Sequence, residues 1–156
     1  METRLHFFQA NPAAMQSLSL LEERMLQAGF EPVLAELVRL RAAQLNGCAY
    51  CVDMHALKAR KAGAGERMLA SLCVWRDTPW FSARERAALA WTEALTLVAG
   101  ARVPDAVWAE VQPSFTAAEL VDLTLLVCLA NTWNRFAIGF RKPLAAADGA
   151  TGAAPL

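Results

Sequence analysis

Two cysteines three residues apart, Cys48 and Cys51, are followed four residues later by His55 in the stretch NGCAYCVDMHALKARKAG, Asn46 to Gly63. Residues three and four apart lie on one face of a helix, so both thiols and the imidazole form one stripe, beside an apolar stripe of Ala49, Val52, Ala56 and Ala59. Thiols react as thiolates, and Cys48 stands at a helix start, where unpaired amides and the positive dipole end favour the anion. His55, one turn beyond Cys51, is placed to accept or relay its proton. Glu36 enters through geometry. If the helices flanking Asn46-Gly47 fold back antiparallel, Glu36 lies ~15 Å before the turn and His55 ~12 Å after it at about 1.5 Å per residue, so the two meet at similar height. A carboxylate there would orient the imidazole as the third member of a base-activated nucleophile.

Each of these residues also has a plainer reading. A C-x-x-C pair can hold zinc, but zinc usually takes four ligands, and Cys73 and Cys128 are single cysteines that read as small buried hydrophobes. Glu36 alone would be an exposed first-turn glutamate near Arg39, and His55 alone a satisfied half-buried side chain. A thioredoxin-like setting needs strands around the motif, and strand formers are scarce: the chain has one isoleucine, Ile138, and one tyrosine, Tyr50. Met54, Trp75, Trp80 and Phe81 are lesser candidates for an apolar access route; each also reads as ordinary packing.

The elements that must carry these residues are helical. Leucine and alanine dominate 156 residues, enough for one domain, and an all-α bundle of about six to seven helices is expected over residues 1–143, with 144–156 a flexible tail. A first helix over about 12–28 has Met15, Leu18, Leu21 and Met25 on one face; a second starts at Pro32 and runs to about Leu45. After the Asn46-Gly47 break, a third covers about 48–62, with Lys58, Arg60 and Lys61 near its end. A shorter piece over 66–74 leads into the loop WRDTPW. The capping box SARE at 82–85 opens a helix with Ala87, Trp91, Leu95 and Val98 on one face, ended by Gly100. A short helix follows Pro104, and a second capping box, TAAE at 116–119, opens a core helix with Leu120, Leu123, Val127 and Ala130.

Composition narrows the function. Fifteen basic residues balance fifteen acidic ones, so neither nucleic acid nor an anionic membrane surface is an expected partner. The longest apolar run, within LVDLTLLVCLANTW, is interrupted by Asp122 and Asn131 well short of the roughly 20 residues of a membrane span. No secretory signal is visible, so a cytoplasmic location is expected, and four cysteines in a reducing compartment are not a disulfide framework. The 56% hydrophobic content exceeds what one small monomer buries with ease, so subunit interfaces are expected.

The segment ELVRLRAAQLNGCAYCVDMHALKARKAG resembles the core motif of the AhpD-like alkylhydroperoxidases, within the carboxymuconolactone decarboxylase-like superfamily, and NTWNRFAIGFRKP is similar to that family's later Trp-Asn-Arg segment. Glu36, Cys48, Cys51 and His55 stand at the spacing of the family pattern. The resemblance implies an all-helical trimer or hexamer that reduces hydroperoxides with no cofactor beyond a redox-active Cys48-Cys51 disulfide. It implies that Cys51 is the peroxidatic cysteine, that the more accessible Cys48 resolves it, and that Glu36 and His55 form the proton relay. It also implies a dithiol reductant such as a lipoylated protein. One residue departs from the pattern: Tyr50 stands where the best-known members have a second histidine, and a phenol at that point of the relay hardly takes a proton at neutral pH. That departure keeps open a different class of function, a thiol switch or scaffold protein without useful turnover. Decarboxylase chemistry from the wider superfamily would leave the cysteine pair unused.

Overall fold

Prolines and short polar side chains mark where the helices begin. The computed structural model describes residues 2–144, and the tail expected over 144–156 falls, beyond Leu144, outside them. Pro12 and Pro32 occupy first turns, where a missing N–H costs nothing, and Asn11 accepts a bond from the Ala14 amide. Both expected capping boxes form: Ser82 with Glu85, and Thr116 with Glu119. The α-helices are α1 (Phe7–Ala10), α2 (Pro12–Leu26), α3 (Pro32–Asn46), α4 (Ala49–Lys61), α5 (Glu66–Ser71), α6 (Ala83–Thr96), α7 (Val98–Ala101), α8 (Asp105–Val111) and α9 (Ala117–Phe140). Two 3₁₀ segments, Leu72–Asp77 and Gln112–Ser114, follow α5 and α8, and no strand occurs among the described residues. Setting aside the two four-residue turns α1 and α7 leaves seven helices, the upper end of the expectation.

The axis of the bundle is α3, which packs on α4, α6 and α9. It therefore buries residues on nearly every side, from Leu34 through Ala43. One apolar cluster joins Leu34 and Val38 to Ala88, Leu123, Leu126 and Val127 from α6 and α9; a second joins Leu37 and Leu40 to Leu72, Trp75, Phe81 and Leu89. Each fully buried leucine stabilises the fold by about 1.5–3 kcal/mol relative to an exposed one. No helix of the described residues is long and apolar enough to cross a membrane.

Three expectations need correction. The segment WRDTPW is not loop from its start: Trp75 is buried and its Nε1 donates to Glu93 Oε1 at 2.8 Å, holding the chain in a 3₁₀ turn through Asp77. Arg86 donates to the carbonyls of Trp75, Arg76 and Thr78 and so ties the end of that turn to α6. The helix opened at Ser82 stops at Thr96, where Leu97 (φ −99°, ψ 19°) leaves the helical conformation, and the turn α7 follows separately with Leu97 and Val98 exposed. Cys73 and Cys128 are exposed, not buried. Cys128 shares with Val121 and Arg135, at seven-residue spacing, the outer stripe of α9, while Val127 and Ala130 face the core. Trp75 and Phe81 belong to the second core cluster, in keeping with their reading as ordinary packing.

Gly47 is the one backbone position in the site that needs glycine, with φ +68° and open space around a built Cβ. Gly47→Ala should lower the unfolding free energy by about 1–2 kcal/mol, the left-handed strain alone. Gly65→Ala, at φ −70°, carries no such strain and should cost less, its poorer N-cap being offset by a stiffer unfolded chain; urea titrations of the two variants would separate them.

Candidate active site

Asn46-Gly47-Cys48 ends one helix and starts the next. With Gly47 left-handed, the Cys48 amide donates to Ala43 O at 3.0 Å and the Gly47 amide to Gln44 O at 3.2 Å, which closes α3. Cys48 is then the N-cap of α4, its Sγ accepting from the Cys51 amide at 3.3 Å. Asn46 Nδ2 ties this hinge to α9 through Asn134 Oδ1 at 2.8 Å and Asn131 Oδ1 at 3.0 Å. The buried face of α4 is Cys51, His55 and Ala59, so the reactive stripe itself packs inward, while Ala49, expected in a packing stripe, is exposed.

The antiparallel pairing of α3 and α4 brings Glu36 and His55 together: Nδ1 of His55 lies 2.8 Å from Glu36 Oε2. A carboxylate only accepts, so Nδ1 carries the hydrogen and Nε2 is left as the proton acceptor. Burial lowers the proton affinity of His55; the bond and charge of Glu36 oppose this, Arg39 and Lys58 add to it, and the imidazole titrates below its ordinary value. Burial raises the Glu36 carboxyl, but the hydrogen bond and charge of His55, with Arg39 and Lys58, outweigh it and hold it below the usual carboxylate range. At neutral pH the pair is a carboxylate holding a neutral base.

Behind that pair runs a chain of buried charges that sequence reasoning missed. The other oxygen of Glu36 accepts from Arg39 Nη1 at 2.9 Å, Arg39 Nη2 donates to Glu22 Oε1 at 2.7 Å, and Trp133 Nε1 donates to Glu22 Oε2 at 3.3 Å. The Arg39 and Glu22 side chains are only 5% and 7% exposed. The available signal was Glu22 on the face of α2 that buries Met15 and Met25: a carboxylate in an apolar stripe needs a buried partner.

Cys48 and Cys51 form a disulfide with their Cα atoms 5.3 Å apart. Cys51 and His55 line a partly open cleft with about 40 Å³ of enclosed space, whereas Cys48 does not line it. The two cysteines are 1% and 2% exposed, so Cys48 is not the more accessible partner. Tyr50 and Met54 line the same cavity with Phe7, Phe8 and Trp133, while Trp75, Trp80 and Phe81 do not. Among the described residues no cluster of three or more His, Cys, Asp or Glu side chains could hold a metal ion.

The chain's relatives agree with this geometry at the level of family and fold. The sequence model of the carboxymuconolactone decarboxylase family matches residues 12–94. The uncharacterized Bacillus subtilis protein YdfG is 34% identical over 138 residues, 88% of this chain and 94% of that one. A protein of unknown function from Agrobacterium tumefaciens, named as a candidate AhpD antioxidant-defence protein, superposes with a TM-score of 0.90 at 36% identity, covering 93% of this chain and 99% of that one. The debrominase Bmp8 superposes with a TM-score of 0.78 over 89% of this chain and 75% of its own, at 14% identity, and shares the fold.

Arg39→Leu removes the cation between two buried carboxylates and should cost about 3–5 kcal/mol at pH 7, which urea unfolding would show. The folded state protonates His55 at lower pH than the unfolded chain, so between the two values the unfolded chain holds more protons and stability rises with pH. Stability should therefore decline as pH falls below about 6.5, and again below about 4.5 as Glu36 protonates. Thermal melts across pH 4–8 should lose the upper stage in His55→Gln.

Proposed function

The chain belongs to the carboxymuconolactone decarboxylase family, and on that premise we propose that it is a thiol-dependent peroxidase of the AhpD-like alkylhydroperoxidase type, acting in antioxidant defence. The observation that carries this is the 2.8 Å contact of Glu36 with His55, one turn from a cysteine that shares its cavity. Neutral His55 takes the Cys51 proton through Nε2, and the thiolate attacks the terminal oxygen of the hydroperoxide. The O–O bond breaks, Cys51 becomes a sulfenic acid, and the leaving alkoxide takes the proton back from the imidazolium to depart as an alcohol. The Cys48 thiolate then displaces water from the sulfenic sulfur and closes the disulfide, using one more proton. A dithiol carrier, such as a lipoylated protein, reopens it by exchange, so that one hydroperoxide and one dithiol yield an alcohol, water and a disulfide. The Cys48-Cys51 pair is the only redox group this cycle uses. Tyr50 serves as a hydrogen-bonding wall of the cavity rather than as a second base. We place the enzyme in the cytoplasm as a homo-oligomer, a trimer or hexamer; exposed Leu20, Leu26, Val121 and Ile138 supply apolar surface for subunit contacts.

One observation favours a second reading, a thiol redox switch: both sulfurs are buried, so a reductant reaches them only after a local opening. The switch would change assembly or a partner contact with oxidation and show negligible turnover.

Reduced protein supplied with dihydrolipoamide should consume an organic hydroperoxide, with turnover abolished in Cys51→Ser and limited to one event in Cys48→Ser. Undiminished turnover in Cys51→Ser would sink the peroxidase. Glu36→Gln should slow the reaction roughly 10²-fold. Because Glu36 raises the proton affinity of His55, its loss should also move the acid limb of the rate profile to lower pH; stopped-flow rates against pH would read both effects.

A further inference from the structure

The cavity that holds Cys51 has a charged group at its aromatic wall that the peroxidase chemistry does not use. Lys142 lines it, with Nζ 4.1 Å from the centroid of the Tyr50 ring and 5.9 and 5.8 Å from those of Phe7 and Phe8. Its position is built. Arg141 takes a left-handed conformation, φ +54°, at the end of α9, and the Lys142 amide then donates back to Ala137 O at 2.9 Å, turning the residue over the cavity. No carboxylate of the described residues forms an ion pair with it. Arg39 is committed to both Glu22 and Glu36, and the second oxygen of Glu22 is taken by Trp133, so Lys142 is the one charged group of the lining without an ion-pair partner among the described residues.

The apolar part of the same wall is aromatic. Phe8 stacks on Trp133 at 6.0 Å between centroids and 13° between planes, and Phe7 packs on Phe136 at 5.3 Å. Such a wall accepts the body of an aryl or alkyl group, and an ammonium held over ring faces is placed to meet an anionic group carried on that body. Resting on the peroxidase reading, we propose that this site selects organic hydroperoxides that carry a carboxylate away from the O–O bond, with Lys142 as the group that binds the carboxylate and the Phe7, Phe8 and Trp133 rings as the seat of the apolar body. Hydrogen peroxide and neutral alkyl hydroperoxides lack the second contact and are the poorer substrates.

Two measurements test this. In the first, kcat/KM is compared for cumene hydroperoxide and its para-carboxylate derivative, in wild type, Lys142→Gln and Lys142→Arg. The expected result is a preference for the carboxylate in wild type that falls about fivefold in Lys142→Gln and is kept by Lys142→Arg. A preference that survives Lys142→Gln, or none in wild type, overturns the proposal. In the second, calorimetry compares binding of 4-phenylbutanoate and 4-phenylbutanamide to the oxidised protein, which needs no turnover. Acid preferred over amide in wild type and not in Lys142→Gln supports the site; equal binding of acid and amide to wild type refutes it. A protein without hydroperoxide turnover that still prefers the acid overturns the peroxidase reading and leaves the carboxylate site standing.

Discussion

A guanidinium cannot be buried by itself, and the site is organised around one that is. Arg39 leaves the surface with one carboxylate on each side, Glu22 from α2 and Glu36 one turn earlier on its own helix. Desolvating three charges costs several kcal/mol per ion, and only short, well-directed bonds offset it. Those bonds fix where Glu36 sits, which in turn fixes the rotamer and tautomer of His55. The imidazole is thus held from behind by helices that touch no reacting atom, an arrangement familiar from sites in which the residues behind the reacting groups set their geometry.

Burial and charge act on His55 in opposite directions, and the balance decides its use. Glu36 by itself would make the imidazole a stronger base. Burial, with Arg39 and Lys58 nearby, reverses that and leaves an oriented but unprotonated ring. A base has to be empty before it can accept a proton, so removing the imidazole from water is part of what makes it serviceable.

Local rules made much of this legible in the sequence. Helical rise on either side of Asn46-Gly47 was enough to bring Glu36 to His55, and the two S/T-x-x-E capping boxes marked the starts of α6 and α9. The misses were long-range. Glu22 meets Trp133 across 111 residues, a pairing no periodicity encodes. Cys128 has the composition of a core residue but the outward angle of its helix, and Trp75 was hidden by loop-forming neighbours although its indole had a partner in Glu93. Lys142 is turned over the cavity by the left-handed Arg141 before it, a conformation that no pattern in the sequence marks.

The disulfide joins residues only three apart in sequence. A cross-link restrains the unfolded chain according to the loop it closes, and the chain-entropy model assigns its smallest gains to loops this short. The fold's persistence is thereby left to the leucine clusters and the buried ions rather than to the sulfur bond. Opening that bond would leave the contacts that carry the architecture in place, the opposite of a small secreted domain whose cystines hold it together.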